Sequence, residues 1–371
     1  MIDERSVSLD LDPAEEPTAD DEVFYNTDMI LNRDISVAAV QSYIDGQERE
    51  LSLIDALAAS GVRAFRYANE TTGLQSIKAT DTNPNAIENM EQNNELNAGM
   101  DIDIEHTDAV IHMTTEAGQY DIIDIDPFGS PVPFLDAAAR GANHEAFLGI
   151  TATDLATLCG SYTKTCRRRY GTWMHKTSFQ HEVGIRTLIK AVFEAFARRD
   201  MVFRPQLSFA QKHYYRLNGT VRESKKGVNR SLDKIGYILA CPDCCYRTME
   251  PNVEETTCPY CETDLNRIGP TWIGHLGRTE FIEQTRDNCT ERGFDDATAL
   301  LDRLITEIPI STPYYDTHDL AATYNVPAPA IEDLLRAFEE RGYNAVRSHF
   351  EDTGIRTNAP LDHIRTIIEE C

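Results

Sequence analysis

Lysine is nearly missing from this 371-residue chain: there are eight, against 27 arginines and 61 acidic residues. The formal net charge is −26. An acidic, lysine-poor surface stays soluble at high ionic strength, so we read the chain as that of a halophile. Long apolar runs are missing too. None reaches the roughly 18–20 residues that a membrane helix needs. The first 21 residues carry eight acids and one arginine, not a basic segment followed by an apolar one. Cysteine is sparse, nine in all, too few for a secreted disulfide scaffold. These absences lead us to expect a cytoplasmic protein without a membrane or an obligate protein partner, in which clustered cysteines serve a metal. Repeats and low-complexity tracts are absent, as is the GxGxxG turn of dinucleotide sites. Taken whole, the acidity also speaks against a nucleic-acid partner, whose usual mark is a basic domain.

The charge is not spread evenly, however. Between Cys159 and Lys234 there are 17 Lys/Arg and 5 Asp/Glu, a local +12 that leaves −38 for the rest. Two clusters make up most of the block. Lys164, Arg167, Arg168, Arg169 and Lys176 form the first; Arg222, Lys225, Lys226, Arg230 and Lys234 form the second, close to Tyr214 and Tyr215. A charge run is usually just a solvated face. In a chain that otherwise avoids lysine, it calls for a polyanion, with Lys164, Arg167, Arg168, Arg169, Lys225 and Lys226 as phosphate contacts.

The hydrophobic pattern alternates strands with helices. Strands are expected at Leu51–Asp55, Ser76–Asp81, Ile102–His106, Tyr120–Asp126 and Phe147–Thr153, with helices after the first and at Pro84–Leu96. That order predicts a parallel α/β sheet whose ligands sit at the carboxyl ends of its strands. A long amphipathic helix follows at Glu182–Arg199, then strands at Tyr214–Glu223 and Gly236–Ala240 around a basic loop. Past Cys261 the pattern turns helical: Thr279–Gly293, Asp295–Glu307, Thr317–Tyr324 and Pro329–Gly342. We therefore expect a first domain over 1–266, including a cysteine knuckle at about 238–264. A C-terminal domain over 267–371 would have a winged-helix-like layout and contact the polyanion. Residues 1–21 read as a loosely held tail.

Three motifs carry chemistry. Asp55-Ala-Leu-Ala-Ala-Ser-Gly61 ends the first strand and opens a helix, and Asp81 ends the second strand twenty residues later. Small residues let a ligand approach the backbone, and an acid at that offset is placed for ribose hydroxyls. An acid-bearing turn without GxGxxG suits a cationic ligand such as S-adenosylmethionine, although helix–sheet packing alone also favours such a turn. Asp126-Pro127-Phe128-Gly129 ends the fourth strand and matches the D/N-P-P-Y/F pattern of amino-group methyltransferases. An exocyclic base amine is a poor nucleophile. A carboxylate and a proline-held carbonyl that accept its N–H bonds free the lone pair, while the ring stacks on the base. The bland alternative is a Pro-Gly turn with a core phenylalanine. Finally, Cys241-Pro-Asp-Cys244 and Cys258-Pro-Tyr-Cys261 are two CxxC knuckles thirteen residues apart. Four thiolates at that spacing predict a structural zinc site with no open position for catalysis.

These segments occur in one order. Phe24-Tyr-Asn-Thr-Asp-Met-Ile-Leu-Asn-Arg-Asp34 comes first, then Asp55–Ala64, Asp126–Asp136, Thr151–Gly160, Cys166–Gly171 and His181–Arg186. Together they resemble the tRNA guanine-N2 dimethyltransferases that modify guanosine 26. Thr27 departs from the family's opening FYNP. The resemblance implies a Rossmann-like class I S-adenosylmethionine-dependent methyltransferase with a zinc knuckle and a smaller α+β C-terminal domain. It implies Arg33, Arg63 and Asp81 as cofactor contacts, with Asp108 and Ala109 bracketing the adenine. It further implies Asp126 as the catalytic carboxylate beside Pro127, Phe24 and Phe128 as a sandwich for a flipped guanine, and tRNA as partner. Two other readings compete: an adenine-N6 nucleic-acid methyltransferase, and a non-catalytic zinc-ribbon RNA-binding protein.

Overall fold

The computed structural model describes residues 1–11, 18, 21–97 and 102–371. It opens with a hairpin of β1 (Ile2–Glu4) and β2 (Val7–Leu9), followed by α1 (Ile30–Ile44). Strands and helices then alternate: β3 (Leu51–Asp55), α2 (Val62–Glu70), β4 (Leu74–Asp81), α3 (Pro84–Leu96), β5 (Ile102–His106), α4 (Ala109–Thr115), β6 (Tyr120–Ile125), α5 (Val132–Gly141) and β7 (Ala142–Ala152). Every residue of β3 and β6 is buried, as expected for strands covered on both faces. Asn83 caps α3 ahead of Pro84, a start that satisfies a free N–H and presets the first helical dihedral.

Three helices follow, α6 (Leu155–Leu158), α7 (Thr163–Tyr170) and α8 (Gln180–Ala197). Next come β8 (Met201–Gln211), β9 (Tyr214–Glu223) and α9 (Lys225–Leu232), the last occupying what the sequence reading took for a basic loop. The main sheet has the order β5-β4-β3-β6-β7-β9-β8, with the first five strands parallel and β9 antiparallel to both neighbours. This is the expected Rossmann-like methyltransferase sheet, whose order reverses on either side of β3. Strand β8 escaped the sequence reading because Pro205 interrupts it; that proline sits at a register shift on an edge strand, where proline is tolerated.

The remaining elements are β10 (Ile235–Ala240), β11 (Arg247–Glu250) and β12 (Asn266–Trp272), a small antiparallel sheet, then α10 (Thr279–Glu291) and α11 (Asp295–Glu307). Last come β13 (Tyr315–Asp316), α12 (Thr317–Tyr324), α13 (Ile331–Glu340), β14 (Ala345–Arg347), β15 (Gly354–Thr357) and α14 (Leu361–Glu370).

Two expectations are corrected. The domain boundary does not fall at residue 266: Ile282, Leu301 and Leu304 of α10 and α11 share the main core with α1 and the sheet. A second core gathers Tyr315, Leu320, Phe338, Ile355 and Ile364, from β13 onward, and takes in Cys245 beside the knuckle. Nor is the described N-terminal segment loose, although 12–17 and 19–20 lie outside the described residues. Val7 and Leu9 are buried, and the backbone of Ser8 and Asp10 donates to Asn97 and Asn93 at 3.0 and 2.7 Å. Burial of these apolar residues, not the surrounding acidity, decides where the hairpin goes.

A buried ionic cluster fastens the C-terminal module. Arg356 on β15 reaches Glu182 of α8 at 2.9 Å and Glu307 of α11 at 3.0 Å. Arg186 holds Glu182 from the other side at 2.7 Å, and His349 meets Glu307 at 2.6 Å. Burial works to raise both carboxyl groups, but Arg356 with Arg186, and His349 with Arg356, outweigh it and hold them low.

A similar arrangement crosses the main sheet. Asp124 of β6 lies beside Gly149 of β7 in the register. The Arg216 guanidinium of β9 passes over that glycine and grips Asp124 with two bonds, 3.0 and 2.6 Å. A Cβ at position 149 would fall 2.1 Å from Arg216 Nη2 and 2.8 Å from Asp124 Oδ2. Gly149→Ala is therefore expected to destabilise the protein by about 3–5 kcal/mol, the scale of a broken buried ion pair. Denaturant unfolding of variant and wild type measures this.

Candidate active site

The carboxyl ends of β3, β4 and β6 frame a cavity of about 360 Å³ at the point where strand order reverses. Phe24, Arg33, Asp55, Arg63, Asp81, Asp126, Pro127 and Phe128 all line it. Asp108 and Ala109 do not line it. Asp108 caps α4, its Oδ1 accepting from the backbone of Val110 and Ile111 at 2.8 and 3.0 Å.

The turn after β3 is built for close approach. Gly61 has φ +75°, and a Cβ there would meet Phe65 and Met90 at 2.7 and 2.8 Å. Asp81 braces the turn from the next strand: one oxygen accepts from Ala59 N at 2.9 Å, the other from Asn83 N at 2.8 Å. Each oxygen keeps a further lone pair for a ligand.

Electrostatics at the cavity floor run through one chain of groups. Asp124 is fully buried and accepts from Arg216 and from the Tyr67 hydroxyl at 2.6 Å. Arg63 stands 3.7 Å away, donates to Asn32 Oδ1 at 3.1 Å, and grips Asp126 Oδ2 at 2.5 Å. Burial alone would raise Asp124, but Arg216 and Arg63 hold it in the ionised form. Asp55, paired beside Asp124 in the register, goes the other way. Burial first, then the Asp124 charge, pushes it up to about 8. Asp55 Oδ2, Arg63 Nη1 and Asn32 Nδ2 are buried with no partner among the described residues. Asp55 and Arg63 line the cavity and Asn32 backs Arg63, so the two lining groups mark a place where a polar ligand completes the bonding.

Arg33 lines the cavity but is already held. Its Nε and Nη2 reach Glu4 at 2.7 and 2.5 Å. Glu4 also binds Arg66 at 2.9 Å and accepts from the Tyr25 hydroxyl at 2.8 Å. Nothing in the sequence around Glu4 signals this role, because the contact spans 29 residues. Arg216 and Tyr67 were missed for the same reason.

Asp126 keeps 21% of its side chain exposed, at the cavity mouth. The following turn is tied to the end of β7: Gly129 N donates to Thr153 Oγ1 at 2.6 Å, and Thr153 N returns to Gly129 O at 2.9 Å. Phe24 and Phe128 do meet over the mouth, their centroids 4.2 Å apart and planes at 71°. In this edge-to-face contact there is no slot between them. Admitting a base requires parallel rings roughly 7 Å apart, two contact distances of about 3.5 Å. Phe128, half exposed next to Gly129 at φ +82°, is the ring free to swing.

The basic clusters separate. Lys164, Arg167, Arg168 and Arg169 are exposed on α7. That helix is fastened to the turn after Asp126: Tyr170 shares a bond with Ser130 at 2.7 Å, and both Tyr170 and Arg169 bind Asp154, at 2.7 and 2.6 Å. Lys225 and Lys226 lie on α9 instead, beyond the Glu223 end of β9 and remote from the mouth.

The four knuckle cysteines converge. Their Sγ atoms all lie within 4.8 Å of one another, with Cys241–Cys261 and Cys244–Cys258 at 3.4 Å. A tetrahedron of thiolates at 2.3 Å from zinc has edges of about 3.8 Å, so the set fits that ion.

Asp55 gives the site a pH signature. It loses its proton near 3.8 in the unfolded chain and at about 8 when folded. Between those values the folded state binds the extra proton, so this group's contribution to stability declines as pH rises through the window. Asp55→Asn keeps the shape without titrating. Thermal melts of ligand-free protein should show the variant gaining on wild type from about pH 4 to 8 and levelling off above.

A family model described as N2,N2-dimethylguanosine tRNA methyltransferase matches residues 9–369. A tRNA (guanine(26)-N(2))-dimethyltransferase of Methanosphaera stadtmanae is 33% identical over 99% of this chain and 96% of its own. One of Haloarcula marismortui is 36% identical over 93% of each. Among solved structures, Trm1 from Pyrococcus horikoshii, determined with S-adenosyl-L-methionine, superposes with a TM-score of 0.87 at 30% identity, covering 99% of both chains. A family model over nearly the whole chain and relatives of 33–36% identity along its length leave one assignment: this chain belongs to the N2,N2-dimethylguanosine tRNA methyltransferase family.

Proposed function

We propose that the protein is a tRNA (guanine(26)-N2)-dimethyltransferase. It moves methyl groups from S-adenosylmethionine to the exocyclic N2 of guanosine 26, giving N2-methyl- and then N2,N2-dimethylguanosine. The observation that carries this reading is Asp126, a partly exposed carboxylate fixed by Arg63 at the strand end between the cavity and two aromatic rings. Relatives bearing that activity's name match almost the whole chain. They favour this reading over adenine-N6 methylation, which rests on the Asp-Pro-Phe turn alone, and over a non-catalytic RNA-binding role.

The residues divide the work. Arg63 holds Asp126 through Oδ2 and leaves Oδ1 to accept an N–H of the incoming amine. The Pro127 carbonyl accepts from no backbone N–H among the described residues, so it can serve as a second acceptor. With both N–H bonds accepted, the N2 lone pair is released for attack, and the departing proton has a carboxylate to receive it. Phe24 and Phe128 would take the base between them once Phe128 swings, so the guanosine must leave its stack. S-Adenosylmethionine, when bound, supplies an electrophilic methyl carbon whose C–S bond breaks as the N–C bond forms. Asp81 would hold its ribose; Arg63 Nη1 and Asp55 Oδ2, both unpartnered, suit its carboxylate and ammonium. An arriving cation favours the ionised form of Asp55. Arg33 would add to the carboxylate end. Asp108 and Ala109 stand outside the cavity lining and would reach the adenine only at its rim.

Outside the cavity, Lys164, Arg167, Arg168 and Arg169 present charge beside the mouth and would take tRNA phosphates. Exposed Tyr162 and Trp173 flank that helix and add stacking surfaces. The C-terminal order helix–strand–helix–helix–strand–strand, from α11 to β15, is that of a winged helix. No helix of the described residues is long and apolar enough to cross a membrane.

Zinc would be held by Cys241, Cys244, Cys258 and Cys261 as a structural ion. The knuckle also contacts the C-terminal module: Tyr324 donates to Cys244 O at 2.9 Å and Cys245 meets Thr323 at 3.2 Å.

Two experiments test this. With unmodified tRNA and labelled S-adenosylmethionine, nucleoside analysis should show label in N2-methyl- and N2,N2-dimethylguanosine. Asp126→Ala should cut kcat by about 10²–10⁴, and Phe128→Ala should chiefly raise KM for tRNA; label confined to methyladenosine would overturn the reading. Elemental analysis should find one zinc per chain, and Cys258→Ser should lower the melting temperature by about 5–10 °C. A metal-free protein with unchanged melting would exclude the ion.

A further inference from the structure

A second cavity, of about 440 Å³, opens on the edge strand β8. Arg204, Arg230, Lys234, His275 and Arg278 line it over a floor formed by Trp272, and none of its lining residues is acidic. In a chain with 61 acids and 35 Lys/Arg, such a segregation of charge is far from the average surface. All five side chains that can carry positive charge are exposed, while Trp272 is buried. Among the described residues, Arg278 alone of the five has a carboxylate within ion-pair range, Glu280 at 3.6 Å. Arg204, Arg230 and Lys234 have none among the described residues. Lys234 is instead held over the Trp272 ring, 5.5 Å from its centroid.

The cavity stands apart from the catalytic pocket. Three strand spacings separate β8 from β6, and Arg204 pairs through Thr220 with Phe147, well below the end of β7. Counting about 4.8 Å per strand and 3.3 Å per residue, it lies roughly 20 Å from Asp126. A single flipped nucleotide cannot fill both places.

We infer that this cavity is a distal clamp for the sugar–phosphate backbone of the same RNA, engaged by a part of the molecule several nucleotides away from the modified base. The inference rests on the proposed activity toward tRNA. Exposed, unpaired guanidinium groups around a concave surface suit successive phosphates, since arginine binds them as a planar fork. Lacking an exposed aromatic face or a buried base slot, the cavity reads backbone rather than sequence. The enzyme thereby measures the extent of its substrate: an RNA too short to reach β8 forfeits this contact while still entering the catalytic pocket.

The test uses Arg204→Gln, Arg230→Gln and Arg278→Gln combined in the full-length protein. Substrates are a full-length tRNA transcript and a short stem–loop carrying the target guanosine. For full-length tRNA, KM should rise about tenfold with kcat within about twofold, and the log–log salt slope of KM should shrink by about 2. For the stem–loop, KM should not change, which also shows that the variant is folded. Unchanged KM and slope for full-length tRNA, or an equal rise for both RNAs, would overturn the clamp. Formaldehyde cross-linking of the wild-type complex gives an independent reading: adducts are expected on Lys234 as well as Lys164, and a complex that cross-links at Lys164 alone would also overturn it. Wild-type protein that methylates no tRNA strikes instead at the activity, so the two failures are separable.

Discussion

Asp124 is the group on which the catalytic end of this molecule hangs. It is a charge in a place where charge is costly, and it survives there because a guanidinium stands on each side. Arg216 arrives from β9 and satisfies both of its oxygens; Arg63 arrives from α2 and, turned partly toward Asp124, extends its far end to Asp126. Asp126, the proposed catalytic carboxylate, is thus positioned by a relay of alternating charges anchored deep in the sheet. Asp55, the next acid in the row, is buried beside the Asp124 charge and holds its proton up to about pH 8. One site holds two acids in opposite protonation states, with burial common to both and the arginine neighbours making the difference.

This dependence explains two features that seem unrelated. Gly149 must lack a side chain because the guanidinium crosses the sheet there. The last two strands must pair as an antiparallel hairpin beside β7, because only that addition carries Arg216 to Asp124. The N-terminal hairpin does an equivalent service on the outer side, where Glu4 holds Arg33 and Arg66 in place. The groups that brace the cavity's charged residues, Glu4 and Arg216, thus come from segments some 200 residues apart.

The sequence made the fold legible wherever local pattern decides structure. The bounds of β3, α3, β5, β9 and α12 were read directly, since continuous apolar runs, an Asn-Pro helix start and turn residues are local signals. That Asp126, Pro127, Phe128 and Asp81 share one cavity, and that the four cysteines converge, was legible because each set is spaced within short motifs. What escaped was long-range. Glu4 sat in a segment whose acidity masked Val7 and Leu9; Arg216 looked like one more cation in a basic block; α10 and α11 carried no mark saying which core they would join. Charge count also gave no hint that Lys225 and Lys226 stand on a different face from the mouth that Lys164 and its neighbours border.

The buried cluster of Glu182, Glu307, Arg186, Arg356 and His349 has a consequence for life in brine. Mobile ions weaken attraction between charges they can surround, and at 1 M salt that screening acts within about 3 Å. No ion can enter a cluster whose members are almost wholly enclosed. The joint between the two cores is thus indifferent to the salinity outside, whereas the exposed arginines and lysines that would meet RNA are fully subject to it. Rising salt loosens a hold on phosphates long before it loosens this joint, so such an enzyme can release product without softening its own frame.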